Sequence, residues 1–96
     1  MKKELVEVPR ATLKFYKYEA DGLTFYEFDA RECSPPEPMV NAINGLRMLK
    51  NEDERLVGIF FHEPTPLFEK IEKNFLHEVT ELESGDVKVV FKKMSS

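Results

Sequence analysis

The chain has 96 residues, of which 42% are hydrophobic and 33% are charged, and its formal net charge is −4. This length suits one folded domain, and the composition is globular rather than disordered. The acidic balance argues against binding to nucleic-acid phosphates, and no apolar run reaches the roughly 18 residues of a membrane helix. The charged start leads into no apolar stretch, so no signal peptide is predicted. A single cysteine cannot form an internal disulfide, so we expect a reducing, cytoplasmic setting.

The first part of the chain is predicted to contain a β-hairpin. Residues 1–10 form a lead-in with a short strand at Leu5–Val8. Ala11–Tyr18 and Leu23–Phe28 are rich in aromatic and β-branched residues, as strands are. The Asp21-Gly22 pair between them suits the positive φ angles of a two-residue type I′ turn. In that register both faces of the hairpin are apolar: one carries Leu13, Phe15, Tyr26 and Phe28, and the other carries Tyr16, Tyr18, Leu23 and Phe25.

The second apolar face of the hairpin needs a cover, because the helices are expected on the first. Either residues 1–10 fold back over it, or the protein associates with itself or with a partner through it. Lys14, Lys17 and Glu19 discourage strand addition. They lie on what is expected to be an edge strand at 11–18. We therefore predict weak self-association rather than a fixed dimer, through Tyr16, Tyr18, Leu23 and Phe25.

Residues 35–49 are predicted to form the first helix. Apolar side chains repeat at helical spacing at Met39, Ile43 and Leu46. Proline is tolerated in a first helical turn, because the amides there have no intrahelical partner. The proline-rich start allows two caps: Ser34, with a capping box completed downstream, or Pro35.

The rest of the chain supplies three strands and a second helix. Arg55–Phe61 is almost continuously apolar, as an interior strand is. A helix is predicted to begin with Thr65 as its N-cap and to end near Asn74. Leu76–Leu82 and Val87–Met94 read as the closing strands.

The order β-β-α-β-α-β-β predicts an α+β fold. We expect a two-layer α/β sandwich, with a mixed sheet of four to five strands and both helices on one face. Residues 11–96 are expected to form its single domain, after the lead-in of residues 1–10.

Two loops are predicted to meet at one end of the sheet. The strand–helix–strand unit over residues 23–61 makes its two strands parallel, so the loops 29–35 and 62–66 both follow carboxyl ends. Two helix starts there favour an anion or a thiolate. The alternative is that Ser34, Glu37, Glu63 and Thr65 only cap the helices. The residues expected around this end are Asp29, Arg31, Glu32, Cys33, Ser34, His62, Glu63 and Thr65.

The loop sequences carry a family resemblance over about residues 23–94. Phe28-Asp29-Ala30-Arg31, followed by Pro36-Glu37-Pro38, resembles the signature of the TusA/SirA-like sulfur-carrier proteins. The chain is also similar to a related uncharacterised domain family with a Pro-Pro-Glu-Pro motif and a later His-Asp-Pro-x-Pro-Leu motif. The matching residues are Asp29, Arg31, Pro35, Pro36, Glu37 and Pro38, then His62, Glu63, Pro64, Pro66 and Leu67. The resemblance implies the same sandwich fold and a link to sulfur or redox metabolism.

The nucleophile of the sulfur carriers is missing from its place. Counted from Asp29, the position of the family's persulfide-bearing cysteine falls on Pro35. Cys33 lies two residues earlier, and a helix start would stabilise its thiolate. Glu32 and Glu37 oppose a thiolate there, so the alternative is an ordinary loop cysteine.

His62 is the second residue of interest in these loops. It could be a hydrogen-bonded structural histidine, part of a ligand or partner site, or a metal ligand. One histidine is not a metal site, and His77 lies on a later strand without ligand spacing. No Ser/His/Asp pattern and no carboxylate-pair pattern in the sequence points to catalysis.

These observations leave three functions. The first is a non-catalytic binding or regulatory module that meets a protein partner through the two loops. The second is a sulfur-transfer protein that uses Cys33, and the third is an accessory domain that binds a small ligand or a metal at His62. We expect the first, with no catalytic residue, cofactor or metal, and neither nucleic acid nor membrane as partner. Its expected binding residues are Arg31, Cys33, Pro36, Glu37, Pro38, His62 and Glu63.

Overall fold

Six strands and two helices follow one another in the predicted order β-β-α-β-α-β-β, preceded by a short strand in the lead-in. The computed structural model describes residues 2–94; Met1, Ser95 and Ser96, the last two of which end the predicted domain, lie outside the described residues. The elements are β1 (Glu4–Val6), β2 (Phe15–Ala20), β3 (Leu23–Asp29), α1 (Glu37–Leu46), β4 (Glu54–Phe60), α2 (Thr65–Ile71), β5 (Phe75–Glu81) and β6 (Val87–Lys93).

All six strands belong to one mixed sheet with the order β1-β2-β3-β4-β6-β5. β3 and β4 are parallel, as expected of strands joined through a helix, and every other neighbouring pair is antiparallel. The α+β class is confirmed, with six strands instead of four to five. Within residues 2–94, no helix is long and apolar enough to cross a membrane.

The predicted hairpin and its register are confirmed. Asp21 and Gly22 have φ angles of 54° and 78°, the positive values that a type I′ turn requires. Tyr18 pairs with Phe25 across the two strands, and their rings stack with centroids 5.0 Å apart. The two faces of the hairpin therefore separate as the alternation predicts.

The lead-in extends the sheet. β1 pairs with β2 through Glu4 and Lys17, Leu5 and Tyr16, and Val6 and Phe15. The expectation that 11–18 is an edge strand is therefore wrong, because β1 occupies that edge. β1 also does not fold back over the second apolar face, since it lies beside β2 in the plane of the sheet.

Both helices pack on one face of the sheet, here called the covered face. Leu56 of β4 pairs with Phe91 of β6, so these two side chains share that face. α1 approaches Leu56 at Gly45, and Phe68 of α2 contacts the ring of Phe91 with centroids 6.4 Å apart. The most deeply buried side chains of the core are Phe15, Phe28, Phe60, Phe91, Leu56, Leu67 and Val89.

Gly45 allows α1 to lie close to the sheet. A Cβ atom at this position would be 2.8 Å from Leu56 Cδ1 and 2.8 Å from Phe15 Cε2, which is closer than real Cβ contacts. Glycine usually costs a helix interior about 1 kcal/mol relative to alanine. Glycine is nevertheless required here, because a side chain at this position would prevent the close approach of α1 to β2 and β4.

The helix starts differ from their predictions. Pro36 and Pro64 are the N-cap residues, and no side-chain hydrogen bond caps either helix. Ser34, Pro35 and Thr65 are therefore wrong as N-caps. The capping box does not form because the Glu37 carboxylate accepts the hydroxyl of Thr12 instead, at 2.6 Å.

Both helices are also shorter than predicted. α1 ends at Leu46 and not at residue 49, and α2 ends at Ile71 and not near Asn74. In α1, the Met48 N–H donates to the Gly45 carbonyl, an i→i+3 bond that closes a tighter turn after the helix.

A buried asparagine attaches the loop before β2 to α1. Asn41 is fully buried; its Oδ1 accepts the backbone N–H groups of Thr12 and Leu13, at 2.8 and 3.1 Å. Its Nδ2 donates to Thr12 Oγ1 at 2.8 Å and to the Glu37 carbonyl at 2.9 Å. Because each polar atom of the amide has partners, its burial carries no unpaired-group penalty.

Candidate functional site

The loops after β3 and β4 meet at one end of the sheet, as predicted, and line a pocket of about 530 Å³. We call it the proline pocket, because five of its lining residues are prolines. The lining consists of Ala30, Cys33, Ser34, Pro35, Pro36, Pro38, Met39, Phe60, Phe61, His62, Glu63, Pro64, Pro66 and Leu67.

The loop after β3 is held in place by a charged turn. The Ala30 N–H donates to the Ile59 carbonyl at 2.8 Å, which fixes the loop to β4. The guanidinium of Arg31 pairs with Asp29 at 2.6 Å and reaches Asp86 at 3.4 Å. Its hydrogen bonds to Asp29 lower the pKa of that carboxyl. Arg31 therefore positions the loop, and it does not line the pocket.

The pocket has an apolar floor and a largely apolar rim. Phe60 and Leu67 are 2% and 0% exposed and form part of the hydrophobic core. Phe61, by contrast, is 61% exposed, and its ring centroid lies 4.4 Å from that of His62. A large aromatic side chain left this exposed beside a cavity is unusual on a folded domain and typical of a contact surface.

The environment of Cys33 favours a neutral thiol. Cys33 is half-buried in the pocket lining, and burial raises its pKa. The negative charges of Glu37, Asp29 and Glu32 raise the pKa further. Because the thiolate is the nucleophile, this arrangement opposes sulfur chemistry at Cys33 at neutral pH.

The two histidines lie in different places. His62 is exposed and lines the pocket, whereas His77 is on β5, where its ring stacks on Phe68 with centroids 3.7 Å apart. Over residues 2–94, no group of three or more His, Cys, Asp or Glu side chains is placed to hold a metal ion. The described residues therefore give no support to the hypothesis that the protein binds a metal at His62.

The structure brings most of the expected binding residues together. Cys33, Pro36, Pro38, His62 and Glu63 line the pocket. Arg31 and Glu37 do not line it. Arg31 forms ion pairs with Asp29 and Asp86, and the Glu37 carboxylate accepts a hydrogen bond from Thr12.

The apolar wall of the pocket was missed by sequence analysis. It includes Ala30, Met39, Phe60, Phe61 and Leu67. The sequence feature that indicates this wall is the end of the apolar segment of β4, where Phe60 is followed by a second phenylalanine just beyond the strand.

The two pocket loops carry acidic side chains without an ion-pair partner among the described residues. Glu63 lines the pocket, and Glu32 lies in the loop after β3. Neither takes part in an ion pair within the described part of the chain. The one cation of this loop, Arg31, is already neutralised by two aspartates. The charged side chains of these two loops that lack an ion pair within residues 2–94 are therefore both acidic.

A protein-family model described as "Uncharacterized conserved protein (DUF2249)" matches residues 27–93. The match spans more than half of the chain. The chain belongs to the DUF2249 family. No curated protein and no solved structure gives a match.

The DUF2249 segment contains the whole proline pocket. It begins in β3, includes both pocket loops and both helices, and ends with β6. β1 and β2 precede it. The pocket is thus a feature of the family segment of this chain, whereas the outer strands next to β3 are additions to that segment.

Proposed function

We propose that this DUF2249 protein is a non-catalytic, cytoplasmic binding module that receives an apolar side chain of a partner protein in the proline pocket. The observation that carries the proposal is the exposed Phe61 at the mouth of an apolar cavity of about 530 Å³. The resemblance to the TusA/SirA-like proteins supports a partner from sulfur or redox metabolism.

The shape and stiffness of the pocket suit a protein side chain. Its volume lies within the roughly 300–1,000 Å³ of typical ligand sites. Prolines have fixed φ angles, so a wall of five prolines loses little conformational entropy when a ligand binds. Burial of the exposed Phe61 ring supplies apolar contact of the kind that dominates binding at interfaces.

The charge at the pocket mouth specifies what should flank the apolar anchor. Glu32 and Glu63 have no ion-pair partner within residues 2–94. A segment that brings lysine or arginine next to its anchor would pair with them, and an acidic segment would be repelled. We therefore propose a partner segment with a large apolar residue and basic neighbours.

Selection of displayed random peptides on the immobilised protein tests the proposal. Peptides that bind the proline pocket should share a leucine, methionine or aromatic residue flanked by lysine or arginine. Their affinity for the Phe61→Ser variant should fall at least about tenfold, as for a central interface residue. The Glu32→Lys/Glu63→Lys variant should weaken the same peptides because it reverses the charge at the mouth.

Leu76→Ser is the matched control, because Leu76 is also an exposed apolar residue, at 51%, but lies on β5 away from the pocket. It should leave peptide affinity unchanged. Equal losses in the Phe61 and Leu76 variants, selection of acidic peptides, or failure to select any peptide would each contradict the proposal.

Persulfide transfer by Cys33 is the second candidate, and the observation in its favour is that Cys33 lines the proline pocket. Burial and three carboxylates raise the pKa of this thiol, so we expect slow alkylation at neutral pH. The midpoint of iodoacetamide alkylation against pH should lie above the roughly 8.5 of a free thiol, and Glu37→Gln should lower it. A midpoint below about pH 7 would favour sulfur transfer instead.

A further inference from the structure

Strand β5 forms one outer edge of the sheet, and its outer side has no neighbouring strand among residues 2–94. The other edge is β1, which has three residues, whereas β5 has seven. Residues 76–81 of β5 are all exposed. The register with β6 is continuous along β5, so no bulge interrupts it, and β5 contains neither proline nor lysine. β5 therefore lacks most of the features that keep an edge strand from pairing with another strand.

Two backbone hydrogen bonds show which groups of β5 face outwards. The Leu82 N–H donates to the Asp86 carbonyl at 2.8 Å, and the Met94 N–H donates to the Asn74 carbonyl at 2.9 Å. Because hydrogen-bonded pairs alternate along an antiparallel ladder, the even-numbered residues of β5 bond to β6. The backbone groups that point away from β6 belong to the odd-numbered residues His77, Val79 and Glu81.

These outward groups fit a second copy of the same strand running in the opposite direction. A two-fold axis through Val79, perpendicular to the sheet, places Val79 opposite Val79 of the second copy and His77 opposite its Glu81. The pair at Val79 and the two pairs of His77 with Glu81 would each exchange two backbone hydrogen bonds, which makes six in all. On the other side of the sheet, Leu76 would lie opposite Leu82.

The side chains on the covered face are also complementary in this register. His77 and Val79 pair with core residues of β6, so they and Glu81 lie on the covered face. The ring of His77 stacks on Phe68 with centroids 3.7 Å apart, and Glu81 has no ion pair within the described residues. An imidazole N–H of His77 can donate to the Glu81 carboxylate of the second copy, twice in each dimer.

The charges of β5 disfavour the other registers. Centred on Glu78, an antiparallel pair would place two Glu78 carboxylates opposite each other, and centred on Thr80 it would place His77 beyond the end of the facing strand. A parallel pair related by an axis along the strands would oppose Glu78 and Glu81 each with its own copy. Like charges directly opposite each other destabilise a strand pair.

We propose that β5 binds β5 of a second copy of this chain, antiparallel and centred on Val79, so that the two sheets join into one. The backbone groups supply the attraction common to strand additions, and the facing His77 and Glu81 supply the selectivity for a second copy. The contact is small, so the dimer is weak. No residue of β5 lines the proline pocket, and the proposal does not depend on the proposed function.

Sedimentation velocity of the whole protein from about 10 µM to about 1 mM, the range of weak interfaces, tests this pairing. The wild type should shift from monomer to dimer as its concentration rises. Val79→Lys should raise the dissociation constant at least about tenfold, because two lysines would face each other across the axis. Val79 is 37% exposed, so a lysine there stays in water in the monomer, and circular dichroism should show an unchanged fold.

Val40→Lys is the matched control, because it is the same substitution at a similar exposure, 39%, but on α1. It should dimerise like the wild type. Glu81→Lys should also weaken the dimer, since it removes the carboxylate that faces His77, whereas Glu19→Lys at an exposed position of β2 should not. A monomeric wild type at the highest concentration, a dimer that survives Val79→Lys, or equal weakening by Val40→Lys would each overturn the proposal.

Disulfide cross-linking tests the register. In a Cys33→Ser background, Val79→Cys places the single thiol at the axis, where directly opposite Cα atoms lie about 5.5 Å apart, within the reach of a disulfide. Thr80→Cys is the control, because residue 80 is also exposed on β5 but faces Glu78 of the second copy instead of itself. Mild oxidation should link the Val79→Cys variant faster. Equal rates, or faster linking through residue 80, would contradict a pair centred on Val79.

Discussion

The two faces of the sheet are built from the same strands but have different chemistry. On β3, Phe28 points to the covered face and is 1% exposed. Phe25 points to the opposite face, which no helix of the described residues covers and which we call the open face, and is half-buried. On β6, Val89 is fully buried and the adjacent Val90 is half-buried. Because side chains alternate along a strand, one strand can serve the core and a contact surface at the same time.

The comparison also shows that the side chains that stabilise the fold and those that are available for binding lie mainly on opposite faces of the sheet. Full burial of a large apolar side chain contributes about 1.5–3 kcal/mol, and a half-buried side chain contributes correspondingly less. The covered face, which holds most of the fully buried side chains, therefore contributes most of the stabilisation from apolar burial. The opposite face can carry lysines and tyrosines at little cost because most of its side chains remain partly in water, Val57 of β4 being a fully buried exception.

The largest expected effect separates two phenylalanines of β3. Phe28→Ala should lower the free energy of unfolding by about 3–5 kcal/mol, because it removes a ring that contacts Phe15 and Phe60 in the core. Phe25→Ala should cost about 1–2 kcal/mol, since its ring is half in water. Urea denaturation followed by circular dichroism measures both.

Two adjacent valines of β6 allow the same comparison of the two faces with smaller losses of stability, which matters if Phe28→Ala does not fold. Val89→Ala should cost about 2 kcal/mol and Val90→Ala less than about 1 kcal/mol. If the two substitutions lowered the free energy of unfolding equally, the open face would be covered in solution. Such a result in dilute protein would argue against the open face as described.

A smaller effect is expected from the polar contact above the covered face. Asn41→Ala removes the acceptor for the backbone N–H groups of Thr12 and Leu13, and should cost about 2 kcal/mol. Asn44→Ala on the same helix is the comparison: Asn44 Nδ2 donates to the Val40 carbonyl one turn earlier at 3.0 Å and reaches the Arg10 carbonyl only at 3.4 Å, so its loss should cost about 1 kcal/mol or less. Similar losses would show that Asn41 does not hold the loop before β2.

The central strands and helices could be predicted from sequence because local and long-range signals agree there. The turn at Asp21-Gly22 fixed the hairpin register, and the apolar run of β4 with the helices on either side required a parallel pair. The place of β1 could not be predicted. A three-residue strand has little pattern of its own, and its position depends on which neighbour leaves an edge open.

The pocket could be placed from sequence, but its walls could not. Parallel strands bring their following loops together, which located Cys33, His62 and Glu63 at one end of the sheet. Periodicity does not report that Phe61, one residue beyond β4, points into water. Nor does it report that Glu37 binds Thr12 rather than capping α1, because that contact joins residues distant in sequence.

The smallest expected effect concerns a tyrosine of the open face at high pH. Burial and the nearby Glu27 carboxylate raise the pKa of Tyr18 to about 12 from an unperturbed value of 10.0. The folded protein therefore keeps a proton between pH 10 and about 12 that the unfolded chain has lost. The stabilisation from this group is complete below pH 10 and falls as pH rises towards 12.

Spectrophotometric titration of tyrosinate absorbance measures this directly. Tyr18→Phe should remove the transition near pH 12 and flatten the loss of unfolding free energy above pH 10. Glu27→Gln should lower the midpoint, because it removes both the charge and the carboxylate that accepts the Tyr18 hydroxyl at 3.2 Å. Tyr26, whose pKa is also raised, lies on the covered face and is shifted mainly by burial and Glu54, so Glu27→Gln should leave its titration in place. If both tyrosines shift together in that variant, the two faces are electrostatically coupled through β3, and the separation between them is weaker than the packing indicates.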